Sequence, residues 1–287
     1  MSSTSLTVTV VGAGGKMGMR VSDNLARTPY RVFYSENHPA AIERVRAAGR
    51  QVSDTGTAVA QSDVIVMAVP DILLGQISES IVPRAQPGAV LLTLDPAALY
   101  AGLIAHRDDM YFAVAHPCHP SVFLQRNNSD EWADTFGGIA APQDVVAALE
   151  TGDLLVRDRT EQVIRAIYSP VLDVHWVTVK QLTVLEPTVT ETITCMISGL
   201  LKDVLREAVD TAGIPEQAVK AMMFGHVQIA LANSLLGSNA FSDAAMIAMG
   251  YGRERVIKDD WKRIFDDAEL DTVIARMLRL ESVHHTT

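Results

Sequence analysis

The chain has 287 residues, a formal net charge of -10, and 48% hydrophobic against 20% charged residues. That length accommodates two ordinary domains with buried cores, and the composition is that of a folded globular protein without disordered bias. The acidic balance argues against nucleic acid as a partner, since such binding draws on Lys and Arg at phosphates, and no apolar run approaches the roughly 18 residues of a membrane span.

The first residues, MSSTSL, lack the basic start and apolar core of a signal peptide, so a cytoplasmic protein with a small-molecule partner is expected. The run LTVTVVGAGGKMGMRVSDNLA opens with alternating Val and Thr, as a buried strand does. It then passes through glycines into apolar positions at Met17, Val21 and Leu25 with helical spacing. Strand, turn and helix are predicted. Gly12 and Gly14 suit a tight turn with close backbone approach, and Gly18 lets the helix lie near the strand, so that N–H groups at the helix start face a pyrophosphate. The expected cofactor residues are Gly12, Ala13, Gly14, Gly15, Lys16, Met17 and Gly18. A second apolar strand, YRVFYSE, ends in Glu36, whose carboxylate suits the two hydroxyls of an adenosine ribose and would repel a 2′-phosphate, favouring NAD over NADP.

Two continuously apolar runs follow, DVIVMAVP at 63–70 and AVLLTLDPA at 89–97, as in strands covered on both faces. With helical stretches between them, they predict a doubly wound parallel sheet that binds ligands at the carboxyl ends of its strands. Val69 and Pro70 with Asp71 stand at one such end, and Asp95 with Pro96 at another, and all are expected to line the nicotinamide side of the crevice. In MYFAVAHPCHPS a further strand, Tyr111 to Ala115, delivers His116 to the same edge. His116 and His119, stiffened by Pro117 and Pro120, are candidate catalytic residues beside a hydride-transfer site. A zinc site made only from His116, Cys118 and His119 is disfavoured, because side chains so close in sequence would have to fold back on one ion. Cys118 and Cys195 are expected to be small buried residues.

After a mixed connecting region containing FGGIAAP, a helix near RTEQVIRAIY and the strand-like DVHWVTV, the helices lengthen. In LEPTVTETITCMISGLLKDVLREAVDTAG, apolar residues from Val189 to Ala208 keep helical spacing, which predicts a helix of about 40 Å with Pro187 at its start. Glu186 would then stand at a helix N terminus, where a carboxylate either complements the helix dipole or reaches into the crevice. Paired with His116 it would give two ligands for a divalent metal cation, zinc or magnesium. Later helices rich in Met, Ala and Leu suit a helix-packed core or a homodimer interface, and His284 with His285 reads as a frayed terminus. The expected organisation is α/β. An N-terminal Rossmann domain with a doubly wound parallel sheet, residues 1–180, binds NAD, and a mostly α-helical C-terminal domain, residues 181–287, binds substrate and pairs subunits.

The loop VGAGGKMG resembles the nicotinamide-cofactor loop of dihydrodipicolinate reductases and β-hydroxyacid dehydrogenases, and the AVP and AHP strand ends look like those of prephenate dehydrogenases. Together with AHPCHPS, LEPTVTET and the helical tail, essentially the whole chain resembles the D-apionate oxidoisomerases, within the β-hydroxyacid and 6-phosphogluconate dehydrogenase-like superfamily. The glycine loop is widely shared, so the discrimination rests on AHPCHPS and LEPTVTET. The resemblance implies an NAD-dependent oxidoreductase of sugar-acid catabolism acting on a CH–OH group. Its substrate would be D-apionate, oxidised to a 2-keto acid and rearranged by an α-ketol shift to 3-oxo-isoapionate. A divalent cation between the two oxygens would stabilise the charge that moves between them. The resemblance places NAD on the glycine turn with Glu36 on the ribose, His116 and Glu186 on the metal as catalytic residues, and His119 in reserve. His119, Glu191 and Lys202 stay open as the group that takes the hydroxyl proton. Two other functions stay open: an NAD-dependent β-hydroxyacid dehydrogenase, decarboxylating or not, that performs no rearrangement, and a non-catalytic NAD-sensing protein.

Overall fold

The structure, a computed structural model, describes residues 5–283, so His284 and His285 lie outside it. Seven strands form one sheet: β1 (Thr7–Val11), β2 (Arg31–Ser35), β3 (Val64–Met67), β4 (Val90–Thr93), β5 (Tyr111–Pro117), β6 (Gln143–Leu149) and β7 (Val171–Val177). Their order is β2-β1-β3-β4-β5-β6-β7. All neighbours pair in parallel except β5 and β6. The doubly wound Rossmann sheet expected from the sequence is present, with one correction: Gln143–Leu149 is an antiparallel strand, where the sequence suggests only a mixed connection.

The helices of this layer are α1 (Lys16–Leu25), α2 (Pro39–Ala47), α3 (Thr55–Val59), α4 (Asp71–Ile81), α5 (Ala97–Tyr100), α6 (Ser129–Ala133), α7 (Leu154–Ile167) and α8 (Val179–Thr183). The period of two along each strand divides its side chains between two cores. Val64, Val66, Val90, Leu92, Ala113 and Ala115 pack on one face with Val21 and Leu25 of α1 and Val163 and Ile164 of α7. Ile65, Met67, Leu91, Phe112 and Val114 pack on the other with Leu74 and Ile81 of α4 and Leu182 of α8. Because both faces are covered, β3 and β4 carry no polar alternation. Each large side chain so buried stabilises the fold by roughly 1.5–3 kcal/mol.

From β1 the chain moves outward to β2, then returns past β1 to β3. The loops after β1 and β3 therefore diverge, and a crevice opens at the carboxyl ends of those strands.

The chain forms two compact units: one runs through Glu186 and takes up the chain again from Asp271, and the other is Pro187–Leu270. The second holds α9 (Met196–Asp210), α10 (Glu216–Leu236) and α11 (Asp243–Val256), and α12 (Asp267–Leu278) follows. In the first unit, the Tyr100 hydroxyl of α5 donates to Asp271 Oδ1 of α12 at 2.9 Å. No described helix is long and apolar enough to cross a membrane.

The start of the long helix differs from expectation. The Thr178 side chain and Gln181 form a capping box that starts α8 at Val179, and winding continues through a π-helical stretch, Val184–Cys195, into α9. Pro187 thus lies inside a helix, and Glu186 is not at an N terminus. Proline has no N–H to give the carbonyl one α-turn back, and the wider winding accommodates that loss. Thr192 and Thr194 hydroxyls donate to the carbonyls of Pro187 and Val189, each five residues back. The cysteines also depart from expectation, since Cys118 and Cys195 are both exposed. Cys118 follows a strand end and Cys195 ends the π stretch, and neither position is covered.

Candidate active site

A cavity of about 400 Å³ lies at the carboxyl edge of the sheet, between the loop after β1 and the ends of β3, β4 and β5. Its two ends are built differently.

At one end the main chain forms the surface. Gly12 has φ +79°, and a Cβ there would lie 2.6 Å from the Ala68 carbonyl oxygen. Gly18 packs so closely on the Gly12 carbonyl that no side chain fits. The N–H groups of Gly12 and Ala13 donate to the Ser35 carbonyl at 2.9 and 3.1 Å, tying the turn to β2. Helix α1 then begins after Gly15 with no side-chain cap and no acidic residue in its first turn, which leaves its N terminus suited to an anion. The Glu36 carboxylate accepts from the N–H of Gly14 at 3.0 Å, of Asn37 at 2.9 Å and of His38 at 3.0 Å. It is thereby fixed beside the turn, with lone pairs remaining for further donors. Gly15, Lys16, Met17, Val69 and Pro70 line the cavity here, while Ala13 and Gly14 are buried behind it.

At the other end side chains do the work. Asp95 follows β4, His116 is the penultimate residue of β5, and Glu186 is the third residue of the π-helical stretch. One ligating atom from each lies within 4.8 Å of the others. The His116 Nδ1–H donates to the Leu94 carbonyl at 3.2 Å, an oxygen that can only accept, so Nε2 keeps its lone pair. Burial, opposed by that carbonyl and aided by His119, lowers its pKa to about 4, so the ring is neutral at physiological pH. One neutral imidazole and two acidic side chains are a donor set for a divalent cation, and ligands on opposite sides of such an ion stand about 4–5 Å apart. Glu186 is 4% exposed. Acidic groups this close repel one another unless positive charge lies between them, so the cluster fits a cation on its own chemistry.

His119 is the third element. Its φ of 59° is left-handed, a strained conformation for a non-glycine residue, and its Nδ1–H donates to the Phe136 carbonyl at 2.8 Å. The tautomer is again fixed, leaving Nε2 as an acceptor on a ring that lines the cavity. The rings of His116 and His119 stand edge to face with centroids 6.4 Å apart. Asp71 also lines the cavity, and burial raises its pKa against a smaller lowering from its own N–H.

Of the residues expected from the sequence, the glycine turn, Glu36, Val69, Pro70, His116, His119 and Glu186 all fall within the first unit around this edge. Glu191 and Lys202 are exposed residues of the second unit. Asp95 as a partner of His116 and Glu186 escaped sequence reading, although its place at a strand's carboxyl end, level with His116, was the available signal. Tyr168, fully buried under the cavity with its hydroxyl donating to the Ala115 carbonyl at 2.8 Å, had no signal at all. The Cys118 thiol, hemmed in by its surroundings although the residue is exposed, is pushed up to about 11 by desolvation and then by Asp144. It is therefore a protonated bystander.

Known proteins share this architecture. Residues 4–133 match the family Acetohydroxy acid isomeroreductase, NADPH-binding domain, and residues 124–278 match Phosphogluconate dehydrogenase (decarboxylating) C-term. The chain is 56% identical to the D-apionate oxidoisomerase of Pectobacterium atrosepticum, over 96% of this chain and 97% of that one. It is 37% identical to the D-apionate oxidoisomerase of Cupriavidus necator, over 94% and 98%. Among solved structures, a semialdehyde dehydrogenase NAD-binding protein from Cupriavidus necator, in complex with calcium and NAD, superposes with a TM-score of 0.92 at 35% identity, covering 96% of this chain and all of that one.

Proposed function

The chain belongs to the D-apionate oxidoisomerase family, and on that premise we propose that it oxidises D-apionate with NAD and rearranges the product to 3-oxo-isoapionate. The observation that carries this reading is one cavity bordered by a glycine turn with an uncapped helix start, by Asp95 and His116 with Glu186 close to both, and by a histidine whose other ring nitrogen is bonded.

Gly12, Ala13, Gly14, Gly15, Lys16, Met17 and Gly18 would hold the pyrophosphate, Glu36 the adenosine ribose, and Val69 with Pro70 the nicotinamide side. A carboxylate at position 36 repels a 2′-phosphate, which favours NAD over NADP. His116, Glu186 and Asp95 would hold a divalent cation, zinc or magnesium, and a solved relative's complex with calcium and NAD supports both cofactors together. Bound there, the dinucleotide would supply an acceptor for the hydrogen of the C2–H bond, and the cation a positive charge beside the C2 and C3 oxygens.

The remaining chemistry falls to the chain's own side chains. In the oxidation, Nε2 of His119 takes the proton of the C2 hydroxyl. That proton passes to solvent; in the rearrangement the freed nitrogen takes the C3 hydroxyl proton and returns it to the C2 oxygen, while the hydroxymethyl group moves from C3 to C2 with its bonding pair. Val69, Pro70, Phe136 and Tyr168 wall the cavity with apolar surface and limit water around these transfers.

The test is NAD reduction with D-apionate by metal-stripped and cation-restored protein, followed by NMR of the product. A cation-dependent reaction giving the rearranged 3-oxo acid is expected. An unrearranged or decarboxylated product without cation dependence would instead establish a simple dehydrogenase, the reading favoured by the match to decarboxylating phosphogluconate dehydrogenases.

The same reading places turnover in the cytoplasm, by a homodimer that pairs through the helical second unit, whose further role is substrate binding. In that unit Met222, Leu235 and Ile247 are 64%, 68% and 76% exposed, and its buried apolar side chains are few, Val219 and Leu270 among them. Apolar surface on this scale is costly in water and suits a partner surface. Light scattering on the eluting protein should give twice the chain mass; a monomer at working concentration would remove the dimer.

A further inference from the structure

His119 can act as a base only while its proton stays on Nδ1, and the structure shows what holds it there. The acceptor is the Phe136 carbonyl, part of a turn drawn around Asp134. Asp134 is 7% exposed. Its Oδ1 accepts from the N–H of Gly137 at 2.9 Å, and its Oδ2 from those of Ile139, Ala140 and Ala141 at 3.1, 2.8 and 3.1 Å. Four main-chain donors on one carboxylate fix the segment on the far side of Phe136. The near side is fixed because Asp134, which directly follows α6, donates its N–H to the Asp130 carbonyl in the helix. From α1, the helix of the dinucleotide turn, the Arg20 guanidinium stacks 4.4 Å from the Phe136 ring centroid and donates to the Gly137 carbonyl. The Asn24 amide donates to the Gly138 carbonyl at 3.0 Å.

We propose that Asp134 is a positioning residue for His119: by gathering these N–H groups it holds the Phe136 carbonyl against Nδ1, so that the Nε2 lone pair stays turned to the cavity. The inference rests on the reading of His119 as the proton acceptor and assigns Asp134 no contact with substrate. A neutral imidazole without that carbonyl distributes its proton over both nitrogens, and the Nε2–H form cannot accept. A merely structural Asp134 would lower stability without changing the tautomer.

The experiment is ¹⁵N NMR of histidine-labelled protein with NADH and calcium added, His119 being assigned by loss of its signal in His119→Gln. Wild type is expected to show the Nδ1–H tautomer alone. Asp134→Asn, which turns an amide toward donors, should populate the Nε2–H tautomer and lower kcat about tenfold, with KM and NADH affinity within about twofold. An Nε2–H tautomer in wild type, or an unchanged tautomer in Asp134→Asn, overturns the proposal. So does a loss of kcat matched by loss of NADH affinity, which marks collapse of the loop. Phe136→Ala keeps the carbonyl and the Asp134 turn and serves where Asp134→Asn does not fold. It should keep the Nδ1–H form, and a switched tautomer there would put the ring in control and overturn the proposal. His119→Gln separates the two readings: unchanged kcat in that variant sinks the proton-acceptor role, while the tautomer shift in Asp134→Asn would still stand.

Discussion

The two ends of the cavity are made of different material. The glycine-turn end is shaped by backbone, with glycines whose missing side chains define the surface and a helix start without a side-chain cap. The end at Asp95, His116 and Glu186 is shaped by side chains delivered from three separate places, the loop after β4, the end of β5 and the π-helical stretch. A backbone surface tolerates few substitutions because almost any side chain fills it. A side-chain cluster tolerates replacement of its surroundings but not of its members. Variants should therefore damage one end and spare the other.

Glu186→Gln should have the largest effect. It removes a proposed ligand without changing size, so bound divalent cation should be lost and turnover should fall at least a hundredfold by order of magnitude, as expected for several kcal/mol of lost charge stabilisation. Calorimetry should find NADH affinity unchanged, and retained metal content would strike Glu186 from the cluster. Gly12→Val is the converse. Its φ of +79° and the nearby Ala68 carbonyl make the side chain strained by roughly 1–3 kcal/mol, so NADH binding should weaken by about five- to a hundredfold while the cation still binds. Parallel loss of both ligands in either variant would mean that the ends are not separable.

Asp134 sharpens the comparison by pH. Burial alone raises its pKa, but the four N–H donors together hold it below the ordinary value of 3.8. A folded-state pKa lowered in this way contributes stability that is full above the unfolded value and is lost as pH falls through the folded one. Wild type should lose stability below about pH 4 more steeply than Asp134→Asn, and at neutral pH the variant should be weaker by about 1–3 kcal/mol in urea unfolding. Identical acid limbs for the two proteins would show that this carboxylate is not responsible. Tyr168→Phe should be the smallest effect, about 0.5–1.5 kcal/mol for one hydrogen bond to the Ala115 carbonyl, with no change in NADH affinity.

How far each end could be read from sequence follows from the same contrast. The glycine turn was legible because close approach and a positive φ demand glycine locally, at fixed positions, whatever the rest of the fold does. His116 and Glu186 stood out as residue types in unusual company, each directly before a proline. Asp95 did not, because a carboxylate at a strand end has many uses and its partnership depends on β5 and the π stretch, both distant in sequence. Strand β6 escaped because QDVVAAL sits among residues without a clear period, and its pairing is decided by the neighbouring β5. The helix start was misplaced because Pro187 imitates a first-turn proline. What identifies its true setting is the Thr178 capping box and the threonine hydroxyls that bond five residues back, a pattern visible only once the turns are wound.

That winding leaves the site dependent on residue count as well as residue identity. A π-helical stretch takes more residues per turn than an α-helix, so deleting one residue between Val184 and Cys195 would let the segment relax to α-helical winding. The helix would gain regularity, yet side chains on either side of the deletion would be rotated by about 100° relative to one another. A deletion ahead of Glu186 would turn it away from His116 and Asp95 with all three residues still encoded. Length changes in this segment should therefore be rarer among working descendants of the gene than substitutions at its exposed positions.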